Sequence, residues 1–203
     1  MLTVSADQVA VERGLREGAF GCPCGGVLAP WGWARPRVLR YRSVSLRVRP
    51  RRGRCRVCAG THVLLLVDAL LRRADTVAVI GSALADKARG DGHRVIAARL
   101  GRPASTVRGW LRRFASRAEL VRAALTALAV TLVVDAVLPD PALTVLADAV
   151  AALGAAASAV ARRFGVSVVS GWRVAAVVSV GRLLAPGWPG QAGNTSWPWA
   201  AVL

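Results

Sequence analysis

The sequence predicts a mainly α fold with a small N-terminal β unit: a three-helix helix-turn-helix module at the centre and a helical region after it. Three observations carry this. Four cysteines fall in two close pairs, Cys22-Pro23-Cys24 and Cys55-Arg56-Val57-Cys58, around an arginine-dense segment that alternates apolar and polar residues. Residues 94–114, RVIAARLGRPASTVRGWLRRF, place apolar residues at helical spacing on both sides of Gly101. After Arg117 the composition turns abruptly to Ala, Val and Leu. The expected divisions are a lead over 1–20, a cysteine unit over 21–65, the helix-turn-helix over 66–117, a packing or dimerisation region over 118–185, and a Trp/Pro-rich tail over 186–203.

Charge separates the two halves. Of the 28 basic residues, 23 lie in residues 1–117 against 7 acids, leaving 5 basic and 4 acidic residues in the rest. Attraction for a polyanion therefore resides in the N-terminal part. The 54% hydrophobic content is enough for a core. The N-terminal stretch carries Asp7, Glu12 and Glu17 and has no apolar segment of signal-peptide length. The uncharged runs 123–134 and 149–161 fall short of the ~20 residues of a bilayer span. The expectation is a cytoplasmic, nucleoid-associated protein without a membrane or small-molecule partner. In a reducing compartment, paired cysteines are metal ligands before they are disulfides.

Two close pairs thirty residues apart suit one tetrahedral zinc ion bound by Cys22, Cys24, Cys55 and Cys58. Structural zinc supplies ~10–16 kcal/mol of apparent binding energy, which a unit this small needs for order. Gly25, Gly26 and Gly60 follow the pairs, where the backbone must curl around the sulfurs. His62 is a second candidate ligand, although a plain strand position is expected of it. Arg35 to Arg56 holds ten arginines and no acid, a repulsion that phosphate relieves. Alternation over Val44–Arg49 puts Arg47 and Arg49 opposite Val44, Leu46 and Val48 on a half-buried strand. Arg47, Arg49, Arg51 and Arg52 are the phosphate candidates of this unit. Trp31 and Trp33 are expected to pack beneath it rather than stack on bases.

The motif CPCGG, followed by an arginine-rich segment ending RVRPRRGRCRVCAGTH, resembles the N-terminal zinc ribbons of insertion-sequence transposases. There CPxCG, a basic strand, RRxxC and a second cysteine precede a helix-turn-helix. Residues 20–117, about half the chain, are also similar to zinc-ribbon plus helix-turn-helix proteins of GC-rich bacteria. The resemblance implies zinc at the four cysteines and double-stranded DNA as the ligand.

In the central module, Val67–Leu71 and Val77–Arg89 have helical apolar spacing, and Gly90-Asp91-Gly92 ends the second of these. A helix from about Arg94 to Leu100 buries Ile96, Ala97 and Leu100. Gly101 turns the chain, Pro103 pre-sets the next helix, and Ser105 or Thr106 caps it. Val107, Trp110, Leu111 and Phe114 then recur at i, i+3, i+4 and i+7 as its buried stripe. The other face holds Ser105, Thr106, Arg108, Gly109 and Arg112 as candidate base contacts, with Gly109 admitting close approach to the groove. Arg99, Arg102, Arg113 and Arg117 are the phosphate candidates here. His93 is read as a capping or solvated residue.

Pro139 and Pro141 split residues 118–163 into two helices of about twenty residues, the second ended by Gly165. Val166–Leu184 is a further helix or, given VSVVS, a strand. These elements pack on the helix-turn-helix or form a homodimer interface. The tail has three tryptophans among prolines and glycines, and its Asn194-Thr195-Ser196 has no meaning as a glycosylation sequon in the cytoplasm.

No enzyme is expected. Transposases of the resembled type continue into a nuclease domain with three metal-holding carboxylates. Here only Glu119, Asp135, Asp140 and Asp148 follow the basic part, without a strand-helix framework. The single tyrosine, Tyr41, lies in the arginine-rich segment rather than in a recombinase site. Three functions fit: a non-catalytic DNA-binding regulator or mobile-element accessory factor, a truncated transposase remnant, or a nucleic-acid-binding module acting mainly through protein partners.

Overall fold

A computed structural model describes residues 1–186 and Trp188. The remaining tail positions, including the sequon and Trp197 and Trp199, lie outside the described residues. The elements run β1 (Leu2–Val4), α1 (Gln8–Glu17), β2 (Leu28–Trp33), β3 (Arg37–Arg40), β4 (Ser45–Val48), β5 (Arg51–Cys55), β6 (Thr61–Leu66), α2 (Val77–Ala88), α3 (His93–Leu100), α4 (Ala104–Ala115), α5 (Ala118–Leu132), α6 (Val145–Phe164) and α7 (Gly171–Val178). The fold is thus mixed rather than mainly α, and the difference arises in the first 66 residues.

Residues 1–20 are part of the β unit. β1 pairs in parallel with β6, Leu2 opposite Leu64 and Val4 opposite Leu66, so the sheet order is β1-β6-β5-β2. Helix α1, capped by Asp7 at its start and by left-handed Gly18 at its end, covers one sheet face through Val11 and Leu15. The run Leu64-Leu65-Leu66 is buried throughout, because α1 lies on one side and the C-terminal helices on the other. A strand buried on both faces loses the alternation that marks one in sequence. The helix expected at Val67–Leu71 does not form. The chain turns there instead, with Asp68 held by side chains from elsewhere and Arg72 in the left-handed region at φ 59.

Strands β3 and β4 form a separate two-stranded hairpin, closed by a bond from the Tyr41 amide to the Val44 carbonyl. The alternation of Val44–Val48 describes the strand but not its burial. Leu39 reaches the core, while Val44 and Leu46 stay exposed on β4. Trp31 and Trp33 do not pack under the unit either: they are 48% and 44% exposed, each covered on one face by Arg54 or Arg51 at 4.4 Å. Their strand β2 is a sheet edge with no strand beyond it among the described residues, so guanidinium stacking replaces core packing.

Helices α2 to α7 share one core. Val77, Ile80 and Leu84 of α2 meet Ile96, Ala97 and Leu100 of α3 and all four stripe residues of α4 there. Gly101, at φ 61, makes the turn between α3 and α4. Helix α4 begins after Pro103 with no side-chain cap, so Ser105 and Thr106 lie inside its first turn instead of capping it. Helices α5 and α6 pair through alanine-rich faces, α6 packs on α2 and α4, and α7 closes over α2, α5 and α6. Val133 is already extended, so α5 is 15 residues long rather than twenty, while α6 runs 20 residues to left-handed Gly165. α6 is also the one helix among the described residues long and apolar enough to cross a membrane; here its alanine face joins the shared core. Of Val166–Leu184 only Gly171–Val178 is helical, the β-branched run before it being neither helix nor strand.

Two buried carboxylates join the sheet unit to the helices. Asp75, 2% exposed, accepts Arg40 of β3 at 2.7 Å and Arg102 of the α3–α4 turn at 2.6 Å. Asp68 accepts the Tyr41 hydroxyl at 3.1 Å and a two-pronged contact from Arg173 of α7 at 2.8 and 3.2 Å. Backbone bonds from Arg40 to the Ala74 carbonyl and from Thr76 to the Arg40 carbonyl reinforce the first junction.

Candidate nucleic-acid interface and metal centre

The cysteine pairs converge as their spacing implies. All four sulfurs lie within 4.8 Å of one another, with Cys22–Cys58 at 3.6 Å and Cys24–Cys55 at 3.5 Å. A thiophilic ion bonded to four sulfurs at ~2.3 Å spaces them by ~3.8 Å, so the cluster fits such an ion with little adjustment. The backbone is shaped to the same end. The Cys22 amide bonds the Gly26 carbonyl at 2.7 Å, curling the first pair, and the Val57 amide donates to Cys55 Sγ at 3.3 Å. A Cβ on Gly26 would sit 2.6 Å from Cys55 Sγ, which explains a residue without a side chain there. These four cysteines can therefore bind a metal.

The thiols are strongly unequal. The Gly26 amide, then the neighbouring sulfurs, draw Cys24 down to about 6 from the ordinary 9.0. The Cys24 amide favours a thiolate at Cys22, but burial and hydrogen bonds to the other three thiols push it up to about 12. Cys24 is thus the thiolate and Cys22 the thiol of this pair until a cation binds. His62 lies in β6 with Nε2 3.3 Å from Cys22 Sγ, so it supports a sulfur from outside the tetrad.

On the helical side, α4 presents what its sequence promised. Val107, Trp110, Leu111 and Phe114 are buried; Ser105, Arg108 and Arg112 are exposed, with Thr106 and Gly109 half-buried between them. Among the described residues neither Arg108 nor Arg112 has an ion pair or side-chain hydrogen bond. Arg113 folds back over Gly109, its Nη1 3.1 Å from the Gly109 carbonyl, where a Cβ would meet it at 2.9 Å. Gly109 thus has a structural reason of its own.

The phosphate candidates divide. Arg47 and Arg49 are exposed on the hairpin side, Arg49 bonded only to the Ala34 carbonyl at 3.3 Å. Arg51 is committed to Glu12 at 2.7 Å with its side chain 9% exposed, and Arg52 bonds Thr61 at 3.1 Å. Arg102 is held by Asp75 and by the Tyr41 carbonyl at 2.8 Å, an internal fastening rather than a free cation. Arg99 bridges Asp86 and Asp91, each at 2.9 Å, and Arg117 donates to the Ala185 carbonyl. Sequence reasoning counted these cations alike because the partners of Arg102 and Arg117 lie 27 and 68 residues away.

It also missed a group of cations where the sheet unit meets the helices. Arg37 donates to the Leu70 and Arg73 carbonyls, and burial lowers its pKa. Burial, then the charge of Arg113, lowers that of Arg73, whose buried Nε has no partner among the described residues. Arg94, exposed and unpaired at the start of α3, lies on the same helical module.

A three-helix unit with a basic, unpaired second-element face defines the helix-turn-helix class. Residues 62–122 match the model of the homeodomain-like domain family, which takes in β6, α2, α3, α4 and the start of α5 and suggests DNA binding. No curated protein and no solved structure matches the chain.

Proposed function

We propose that this is a non-catalytic protein that binds double-stranded DNA by inserting α4 into the major groove, with Cys22, Cys24, Cys55 and Cys58 holding a structural zinc ion. The observation that carries the reading is the outer face of α4. Ser105, Arg108 and Arg112 stand exposed in one line, the arginines unpaired, over a stripe that is wholly buried. Arg108 and Arg112 are suited to guanine edges, and Arg113 and Arg94 to flanking phosphates. Zinc is favoured over other thiophilic ions by the all-thiolate tetrad and its closed coordination. Non-catalytic action is supported by the placement of the late carboxylates: Glu119 pairs with Arg122, Asp135 with Arg162, and Asp148 accepts the Ala142 amide. DNA as ligand places the protein with the nucleoid, as a regulator or a mobile-element accessory factor.

Selection from random duplexes with the metal-loaded protein tests the reading. It should yield a preferred site, with affinity falling steeply with salt. Arg108→Ala should cost ~1–3 kcal/mol at one base position, and metal analysis should give one zinc per chain. Absent or salt-independent binding would overturn the proposal. A second reading, a module acting through protein partners, is favoured by the exposed Val134, Val137 and Leu143 between α5 and α6.

A further inference from the structure

We infer that the β3–β4 hairpin is a second contact on the same duplex, its tip Arg42 and its outward Arg47 seated on backbone phosphates beside the groove that α4 enters. This rests on the recognition-helix reading and adds the partner surface that accompanies it. The hairpin's turn consists of Arg42 and Ser43, both exposed, between the bonded Tyr41 and Val44. The Tyr41 carbonyl accepts Arg102 Nη2 at 2.8 Å, and Arg102 lies two residues before α4 begins at Ala104. In a helix-turn-helix this end of the recognition helix faces the bases and the turn before it faces the phosphates. The hairpin tip is therefore fastened to the DNA-facing end of the module.

Orientation follows from the register. Val38 pairs with Arg47 and Arg40 with Ser45, so Arg47 shares a hairpin face with Arg40, whose guanidinium reaches Asp75. Arg47 thus lies on the face from which Arg40 reaches Asp75, opposite the face that carries buried Leu39. Among the described residues neither Arg42 nor Arg47 has an ion pair or side-chain hydrogen bond. The attachment is stiff as well. Asp75 is gripped from both units, and the Arg40 amide and carbonyl are both bonded to the loop before α2. A duplex that seats α4 meets the hairpin at a set distance, so both contacts are made together.

The test uses the full metal-loaded chain and its selected duplex, comparing Arg42→Ala/Arg47→Ala with Arg42→Lys/Arg47→Lys. Both positions are exposed, so circular dichroism and Tm should match the unmodified protein. The alanine pair should lower the slope of log Kd against log salt by ~1.8, at ~0.9 per phosphate. It should also lose hydroxyl-radical protection on one flank of the site, with the sequence preference unchanged; the lysine pair should retain slope and protection. An unchanged slope, or a reduced slope with an unchanged footprint, would overturn the hairpin contact while leaving α4 as the recognition element. Failure of the unmodified chain to bind any duplex would overturn both.

Discussion

Asp75 is the point at which the structure makes its strongest energetic claim. Asp75→Ala removes the acceptor of two guanidinium groups at once: Arg102, whose side chain is 14% exposed, and Arg40, at 44%. The two losses differ in kind. Arg102 stays largely out of water with only carbonyl acceptors left, so the penalty approaches that of breaking a buried pair, ~3–5 kcal/mol. Arg40 can turn to solvent, and its half-exposed pair is worth only ~0.2–1 kcal/mol after screening. The total expected loss is therefore ~3–5 kcal/mol, equivalent to a Tm decrease of ~6–20 °C for a chain of this size. Urea unfolding of the metal-loaded protein reads it directly, with Arg40→Ala as the comparison at under ~1 kcal/mol. A loss below ~1 kcal/mol for Asp75→Ala would refute the reasoning. It would mean that the backbone bonds of Arg40, with the contacts of Arg37 and Tyr41, hold the hairpin to the helices without Asp75.

Other outcomes follow from the same geometry. In metal-free protein Cys24 should be alkylated before Cys22 at neutral pH, since its thiolate persists down to about 6. The stability that this thiolate contributes should be fully present above pH 9 and fade as pH falls through 6. Mass spectrometry of partly alkylated protein locates the label, and first labelling at Cys22 would contradict the assignment. Gly81→Ala should destabilise by ~1–3 kcal/mol despite alanine's better helix propensity, because its Cβ would lie 2.3 Å from the Trp172 ring. A raised Tm would show that α7 gives way instead. Trp110→Ala should cost ~3–5 kcal/mol as a cavity in the shared core, measured in the same urea series.

The helix-turn-helix was legible because its signals are local. The spacing of Val107, Trp110, Leu111 and Phe114, with Gly101 at the turn, needs only the period of a helix and the freedom of a residue without a side chain. The cysteine tetrad was legible for a similar reason, since two short turns carry two sulfurs each. The β unit was harder. Leu2–Val4 is too short to show a pattern, and its pairing with Leu64–Leu66 spans some sixty residues. The leucine run reads as helical or featureless because both its faces are covered.

The pairing of the arginines was not legible in the sequence. Sequence reasoning named Arg51 and Arg102 as phosphate contacts and Arg108 as a base contact without access to distant partners. The fold commits the first to Glu12 and the second to Asp75, and leaves Arg108 free. By itself the sequence pointed to a cysteine unit followed by helices, to the four clustering cysteines and to the buried stripe of α4, because periodicity and spacing act within a few residues. Only the tertiary structure decided which arginines remain available and that the hairpin is tied to the turn before α4. Those depend on carboxylates brought into contact from distant parts of the chain, and a buried pair binds its cation far more firmly than a solvated one.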